Sequence, residues 1–156
     1  MQIPTAARRD IQLLRRNKHR FFGLAAAGQR GISLTVLPWE GAARFDSKWT
    51  AEALYNVLDN ALKYTPPGGT VTLSVTAYHM FCCIQVSDTG PGIPEEEQAQ
   101  IFSRFYRGAA VREQEGLGLG LGLYLTRRIL TSEGGYIRVS SQPGKGSTFS
   151  LYLPLE

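Results

Sequence analysis

"EGLGLGLGLYL", residues Glu115 to Leu125, alternates four glycines with leucines and runs without a break into "TRRIL". Three readings compete for it: a strand, a linker, or the start of a helix pressed close to something small. Glycine in a strand interior is entropically costly and leaves nothing to pack, so a Gly-Leu strand is poor on both counts. A flexible linker should lack apolar residues, yet every second position here is leucine. The third reading fits best. Glycines let a backbone approach closely, Leu121, Leu123 and Leu125 hold the run to a core, and an opening helix offers N–H donors and the positive end of its dipole to an anion. The run then divides: Glu115 to about Leu119 closes a turn-rich stretch that begins at Tyr106, while Gly120 and Gly122 open the helix.

The flanking elements set the architecture. "ISLTVLP" alternates like a strand, and "DSKWTAEALYNVLDNALKYTPPGG" reads as a long helix. Asp46 or Ser47 can cap that helix, Leu54, Leu58, Ala61 and Leu62 form its buried stripe, and Pro66-Pro67-Gly68-Gly69 ends it. "TVTLSVTAYH" and "FCCIQVSD" follow with no long helix between them, which predicts an antiparallel hairpin. "PEEEQAQIFSRF" reads as a helix starting at Pro94, with three acids in its first turn. A helix from about Leu121 to Ser132 stops at Gly134-Gly135, and "YIRVSSQPGKGSTFSLYLP" closes as a hairpin turning at Pro143 to Gly146. The order β, α, ββ, α, α, ββ predicts an α+β fold, a two-layer α/β sandwich with helices on one face of a mixed, mostly antiparallel sheet.

The 156 residues suit one domain, and 43% apolar content suffices for its core. No apolar run approaches the roughly 20 residues of a membrane span, so a soluble, cytoplasmic piece is expected. Cys82 and Cys83 are adjacent in a strand, where alternation points them to opposite faces and a bridge would strain the chain. Reduced core thiols are expected. The net charge of +4 is uneven: residues 1–31 carry seven Lys or Arg against Asp10, a balance of +6, which leaves −2 for the rest. The basicity belongs to an amphipathic linking helix within residues 1–30, and residues 31–156 form the domain proper. Nucleic-acid binding through the basic segment is therefore disfavoured.

Two further clusters carry chemistry. "SDTGPGI", Ser87 to Ile93, leaves a strand end, where Asp88 can accept from an exocyclic amine and Gly90 and Gly92 let the chain turn around a flat ring. The same residues are also good turn chemistry. On the long helix Asn56, Asn60 and Lys63 share a face; carboxamide oxygens suit Mg²⁺ and the lysine suits phosphate, though a solvated helix face would look alike. The familiar nucleotide motifs are absent. Lys145 is followed by Gly146, so there is no Walker A loop, and glycines at even positions only do not make a Rossmann fingerprint.

In this order the elements resemble the catalytic ATP-binding domain of bacterial sensor histidine kinases, within the superfamily shared with gyrase, Hsp90 and MutL. The resemblance runs from about Ile32 to Leu155. "NVLDNALKYT" is similar to the N box, "DTGPGI" to the first glycine box, "IFSRFYRG" to the phenylalanine-rich box, "GLGLGL" to the second glycine box and "GKGSTFSLYLP" to the last. It implies the Bergerat-type ATP-binding fold. It also implies that Asn60 ligates Mg²⁺ at the ATP phosphates beside Asn56, that Lys63 and Tyr64 contact the nucleotide, and that Asp88 holds the adenine amine. Gly90, Gly92 and Ile93 would shape that pocket, with Thr148 assisting. Phe102 and Phe105 would anchor a lid, Arg107 would reach the phosphates, and Gly118, Leu119, Gly120, Leu121, Gly122 and Leu123 would cradle them.

Hydrolysing members of the superfamily carry a water-activating glutamate four residues before the metal-binding asparagine, where this sequence has Asn56. Without a general base there, the γ-phosphoryl group is kept for another nucleophile. A histidine kinase donates it to a histidine followed by an acid, on a helical hairpin. His19 is followed by Arg20 and His79 lies in a strand, so the acceptor is expected on a separate dimerisation domain of the same kinase, with a response regulator downstream. The resemblance also implies the cytoplasmic portion of a membrane-bound sensor. A serine kinase of the anti-sigma type, or an ATP-gated interaction module, would share the boxes. Leu119 and the additional Gly116-Leu117 repeat depart from the family pattern and predict looser lid closure.

Overall fold

The computed structural model describes residues 31–37, 47–103 and 122–154. The linking helix expected within residues 1–30 lies outside them, as do the capping side chains of Asp46 and Ser47.

A short strand β1 (Ser33–Val36) leads to the 18-residue helix α1 (Ser47–Tyr64). Strands β2 (Thr70–Ala77) and β3 (Phe81–Asp88) follow as an antiparallel hairpin. After the single-turn helix α2 (Glu95–Gln98) come α3 (Gly122–Ser132) and the closing hairpin of β4 (Tyr136–Gln142) and β5 (Gly146–Pro154). The sheet order is β1-β2-β3-β5-β4. Only the β1–β2 pair is parallel, with α1 as its crossover. This is the mixed, mostly antiparallel sandwich that the element order predicts.

Helix α1 lies on the sheet because its apolar residues recur at helical spacing. Leu54, Val57, Leu58, Ala61 and Leu62 are all buried in one cluster. The sheet answers with a period of two: Cys82, Ile84 and Val86 of β3 and Phe149, Leu151 and Leu153 of β5 join the same core. Intervening residues face the other side, where Tyr136 stacks on Tyr152 at 4.4 Å and Phe81 meets both edge-on. Cys83, paired in register with Tyr152, is buried on that face while Cys82 sits in the core, so the two free thiols diverge as alternation predicts. Burial, and then the neighbouring Cys83, pushes the Cys82 thiol up to about 11.

Two polar contacts lock the helical layer. Thr50, fully buried on α1, donates to both carboxylate oxygens of Glu133, at 2.8 and 3.1 Å. Thr126 on α3 donates to the Gly122 carbonyl at 2.8 Å and lies 3.4 Å from that of Ala53. At its far end α3 stops where Gly134 turns left-handed (φ +80°) and the Gly135 N–H reaches back to Leu130.

Two expectations need correcting. The helix expected over "PEEEQAQIFSRF" is one turn, Glu95–Gln98, followed by turns to Ser103. No residue of that turn is buried, and only Ile101 and Phe102 beyond it reach the core, so no apolar stripe sustains a longer helix. Leu125, expected to anchor α3, is 46% exposed. Leu123, Thr126 and Leu130 set the inward face at helical spacing, and Leu125 falls off it.

Candidate functional site

The site forms where the C-terminal half of α1 meets the loop after β3 and the first turn of α3. Asn56 and Asn60 are half-buried on α1, flanked by exposed Lys63 and half-buried Tyr64. The face opposite the leucine stripe is thus partly covered. Gly122 does some of the covering: a Cβ there would lie 4.0 Å from Asn56 Cβ, so α3 opens directly beside the N box helix. Lys63 Nζ lies 3.1 Å from the Asp59 carboxylate one turn back, an exposed pair that the sequence reading did not anticipate.

Asp88 ends β3 on the side of the sheet that carries the helices. Its Oδ1 accepts from the Gly90 N–H at 2.9 Å, and the Ser147 N–H also reaches the carboxylate. Burial nevertheless dominates and pushes the carboxyl above its ordinary value. The turn carries the chain back under α1, where a Cβ on Gly90 would sit 2.9 Å from Asp88 Oδ1 and 3.2 Å from the Tyr64 carbonyl oxygen. A larger residue would have to push the Asp88 carboxylate aside and press on the Tyr64 carbonyl. Gly92 (φ +76°) lies against the β4–β5 hairpin, and Ile93 packs on the core.

Phe102 meets Phe149 edge-on at 6.4 Å, with the Arg127 guanidinium of α3 6.0 Å from its ring centre. It ties the segment after α2 to both the sheet and α3. Of the residues expected at the site, Asn56, Asn60, Lys63, Tyr64, Asp88, Gly90, Gly92, Ile93, Phe102, Gly122 and Leu123 fall on these converging elements. Phe105, Arg107, Gly118, Leu119, Gly120 and Leu121 lie outside the described residues.

Thr148 does not join the group. It pairs in register with Ser87, and their hydroxyls lie 2.9 Å apart on the face away from the helices. Ser147, the register partner of Asp88, lies on the helix-bearing face beside it. A one-residue shift along a strand changes the face.

A family model described as histidine kinase-, DNA gyrase B- and HSP90-like ATPase matches residues 45–156. The chain belongs to this ATPase family. Among its relatives is the circadian input-output histidine kinase CikA of Synechococcus elongatus, 46% identical over 112 residues, which are 71% of this chain and 15% of that protein. The sensor protein DivL of Caulobacter vibrioides is 43% identical over 126 residues, 80% of this chain and 16% of DivL. The chain therefore spans less than a fifth of either protein's length. The mycobacterial sensor histidine kinase MprB superposes with a TM-score of 0.75 at 32% identity, over 92% of this chain and 94% of that one. The catalytic domain of histidine kinase ThkA shares the fold, with a TM-score of 0.69 at 21% identity over 94% and 91% of the two chains.

The family boxes thus become spatial neighbours although up to some 90 residues separate Asn56 from Ser147 in the chain. Two side chains that sequence reasoning overlooked, Ser141 and Gln98, bind the loop that carries Ile93. Their signal was weak, because a serine in a strand and a glutamine in a polar turn are ordinary surface residues.

Proposed function

We propose that this chain binds Mg-ATP between α1, the Asp88 loop and the start of α3, and donates the γ-phosphoryl group to a histidine on a separate dimerisation domain of its kinase. A response regulator would then receive the group in two-component signalling, on the cytoplasmic side of the membrane. The observation that carries this reading is the convergence on one helix of two elements, the start of α3 at Gly122 beside Asn56 and the Gly90 turn beneath Tyr64, with the Asp88 carboxylate at the same end of the sheet. In this reading a flat base with an amine donor would lie next to Asp88, and the phosphate chain toward the start of α3.

The roles follow from chemistry. Asp88, with lone pairs to spare beyond its two backbone N–H donors, accepts from the adenine amine, and Gly90, Gly92 and Ile93 leave room for the ring. Asn60, with Asn56 beside it, offers neutral, hard oxygen donors; among the described residues no cluster of three His, Cys, Asp or Glu gathers to hold a metal. Such a donor set suits magnesium only in company with phosphate oxygens, which is the fit expected of Mg-ATP. The ion, when bound, would neutralise phosphate charge. Lys63 and Arg107 add positive charge, and the amides of Gly118 to Leu123 donate to phosphate oxygens.

In the transfer, the imidazole nitrogen of the acceptor bonds to the γ-phosphorus as the bond to the bridging oxygen breaks, leaving ADP and phosphohistidine. Asn56 cannot take a proton from water, so hydrolysis competes poorly.

Incubating the chain with γ-labelled ATP and a histidine-bearing dimerisation domain from a sensor kinase tests the reading. Acid-labile label on the acceptor is expected, lost when its histidine is replaced. Acid-stable label would instead indicate a serine kinase, and sustained absence of label with ATP bound would indicate an ATP-gated module.

A further inference from the structure

A single hydroxyl joins the two walls assigned to the purine. Ser141 Oγ accepts from the Ile93 N–H at 2.7 Å, donates to the Gly146 carbonyl at 2.9 Å and lies 2.8 Å from the Ser147 hydroxyl. A hydroxyl has one proton and two lone pairs. With its proton on Gly146, Ser141 must take the Ser147 proton, and all its bonding capacity is then used. Ser147 is also the residue whose N–H reaches the Asp88 carboxylate. Ser141 is therefore one bond from Ile93 and one residue from Asp88.

Gln98 completes the arrangement from α2. Its carboxamide nitrogen donates to the Ile93 carbonyl at 2.9 Å and to the Ser141 carbonyl at 3.1 Å. Both backbone groups of Ile93 are thus held by side chains from other elements. The rest of the loop is pinned to the same hairpin: the Gly144 N–H donates to Pro91 O at 2.7 Å, and a Cβ on Gly92 would stand 2.2 Å from the Gln142 carbonyl oxygen.

We propose that Ser141 and Gln98 are positioning residues for nucleobase recognition, holding Ile93 at a fixed height relative to Asp88 so that the pocket accepts adenine and disfavours other bases. The inference rests on the Mg-ATP reading above. Discrimination between bases needs an amine acceptor and an apolar contact in a set relation before the ligand arrives, because any reordering on binding subtracts from affinity. Removing the Ser141 hydroxyl orphans the Ile93 N–H and the Gly146 carbonyl together, and the loop must shift to find new partners. Phosphate contacts from α1 and α3 do not pass through this hairpin, so they remain.

Calorimetric titration of Mg-ATP and Mg-GTP into the wild-type chain, Ser141→Ala, Ser141→Thr and Gln98→Ala tests it. Ser141→Ala and Gln98→Ala are expected to weaken Mg-ATP by about tenfold and Mg-GTP by less than about twofold, narrowing the preference for ATP. Ser141→Thr keeps the hydroxyl and should keep the preference. Equal losses for both nucleotides, or none, would overturn the assignment. Gln98, half-exposed on a turn, carries the test should Ser141→Ala not fold. A wild-type chain that bound no Mg-ATP would instead overturn the parent reading, and this one with it.

Discussion

Asp88 concentrates the tension between stability and function. Its carboxyl is half-buried at a strand end, and desolvation outweighs the two backbone N–H groups that favour its charge. Because its pKa is raised in the folded chain, the native state binds the proton more tightly than the unfolded state does. The ionised carboxylate therefore costs stability at neutral pH, and the cost is relieved as the pH falls through the raised folded value. Asp88→Asn keeps an acceptor for Gly90 and Ser147 without the charge. It should raise the melting temperature of the nucleotide-free chain while weakening Mg-ATP by roughly tenfold or more, since a charge-assisted bond to the adenine amine is lost. A lower melting temperature at neutral pH would contradict the burial argument. For the wild type, nucleotide affinity should decline on acidification from neutral pH toward that folded value.

The glycines distinguish conformational need from steric need. Gly68, between α1 and β2, has φ +86° and open space where a Cβ would go, whereas at Gly92, with φ +76°, a Cβ would stand 2.2 Å from the Gln142 carbonyl oxygen. Gly68→Ala should cost about 1–2 kcal/mol of stability from backbone strain alone and leave nucleotide affinity unchanged. Gly92→Ala should cost more and also weaken Mg-ATP, because the loop has to leave the hairpin. Denaturant unfolding paired with nucleotide titration separates the two, and equal behaviour would sink the distinction. Legibility followed the same line between local and tertiary causes. Helix α1 was readable because its leucine spacing and its Pro-Pro-Gly-Gly stop act locally, and the β2–β3 hairpin because alternation does. The length of α2 was not, since acids and a proline mark where a helix begins but not whether packing sustains it. The face on which Thr148 lies was not legible either, because the face of a strand residue depends on register, which motif spacing does not report.

Across the whole molecule, one layer of helices on one sheet brings together boxes that are remote in the chain. The buried polar locks, Thr50 to Glu133 and Thr126 to the Ala53 carbonyl, tie α3 and the turn that ends it to α1. Asn56 and Asn60 stay half-buried on the α1 face that this packing leaves beside the start of α3. The stacked tyrosines Tyr136 and Tyr152 lie on the opposite face of the sheet. The glycine alternation at Glu115 to Leu125 found its meaning at one described position: Gly122 begins α3 against Asn56, as a helix start and not a strand.

The central claim is that this junction is a Mg-ATP site, and titration of Mg-ATP into the wild-type chain and Asn60→Ala tests it most directly. Saturable binding by the wild type, weakened by about tenfold or more in Asn60→Ala and to a similar extent when magnesium is withheld from the wild type, is the predicted result. Equal affinity in both chains, with or without magnesium, would contradict it.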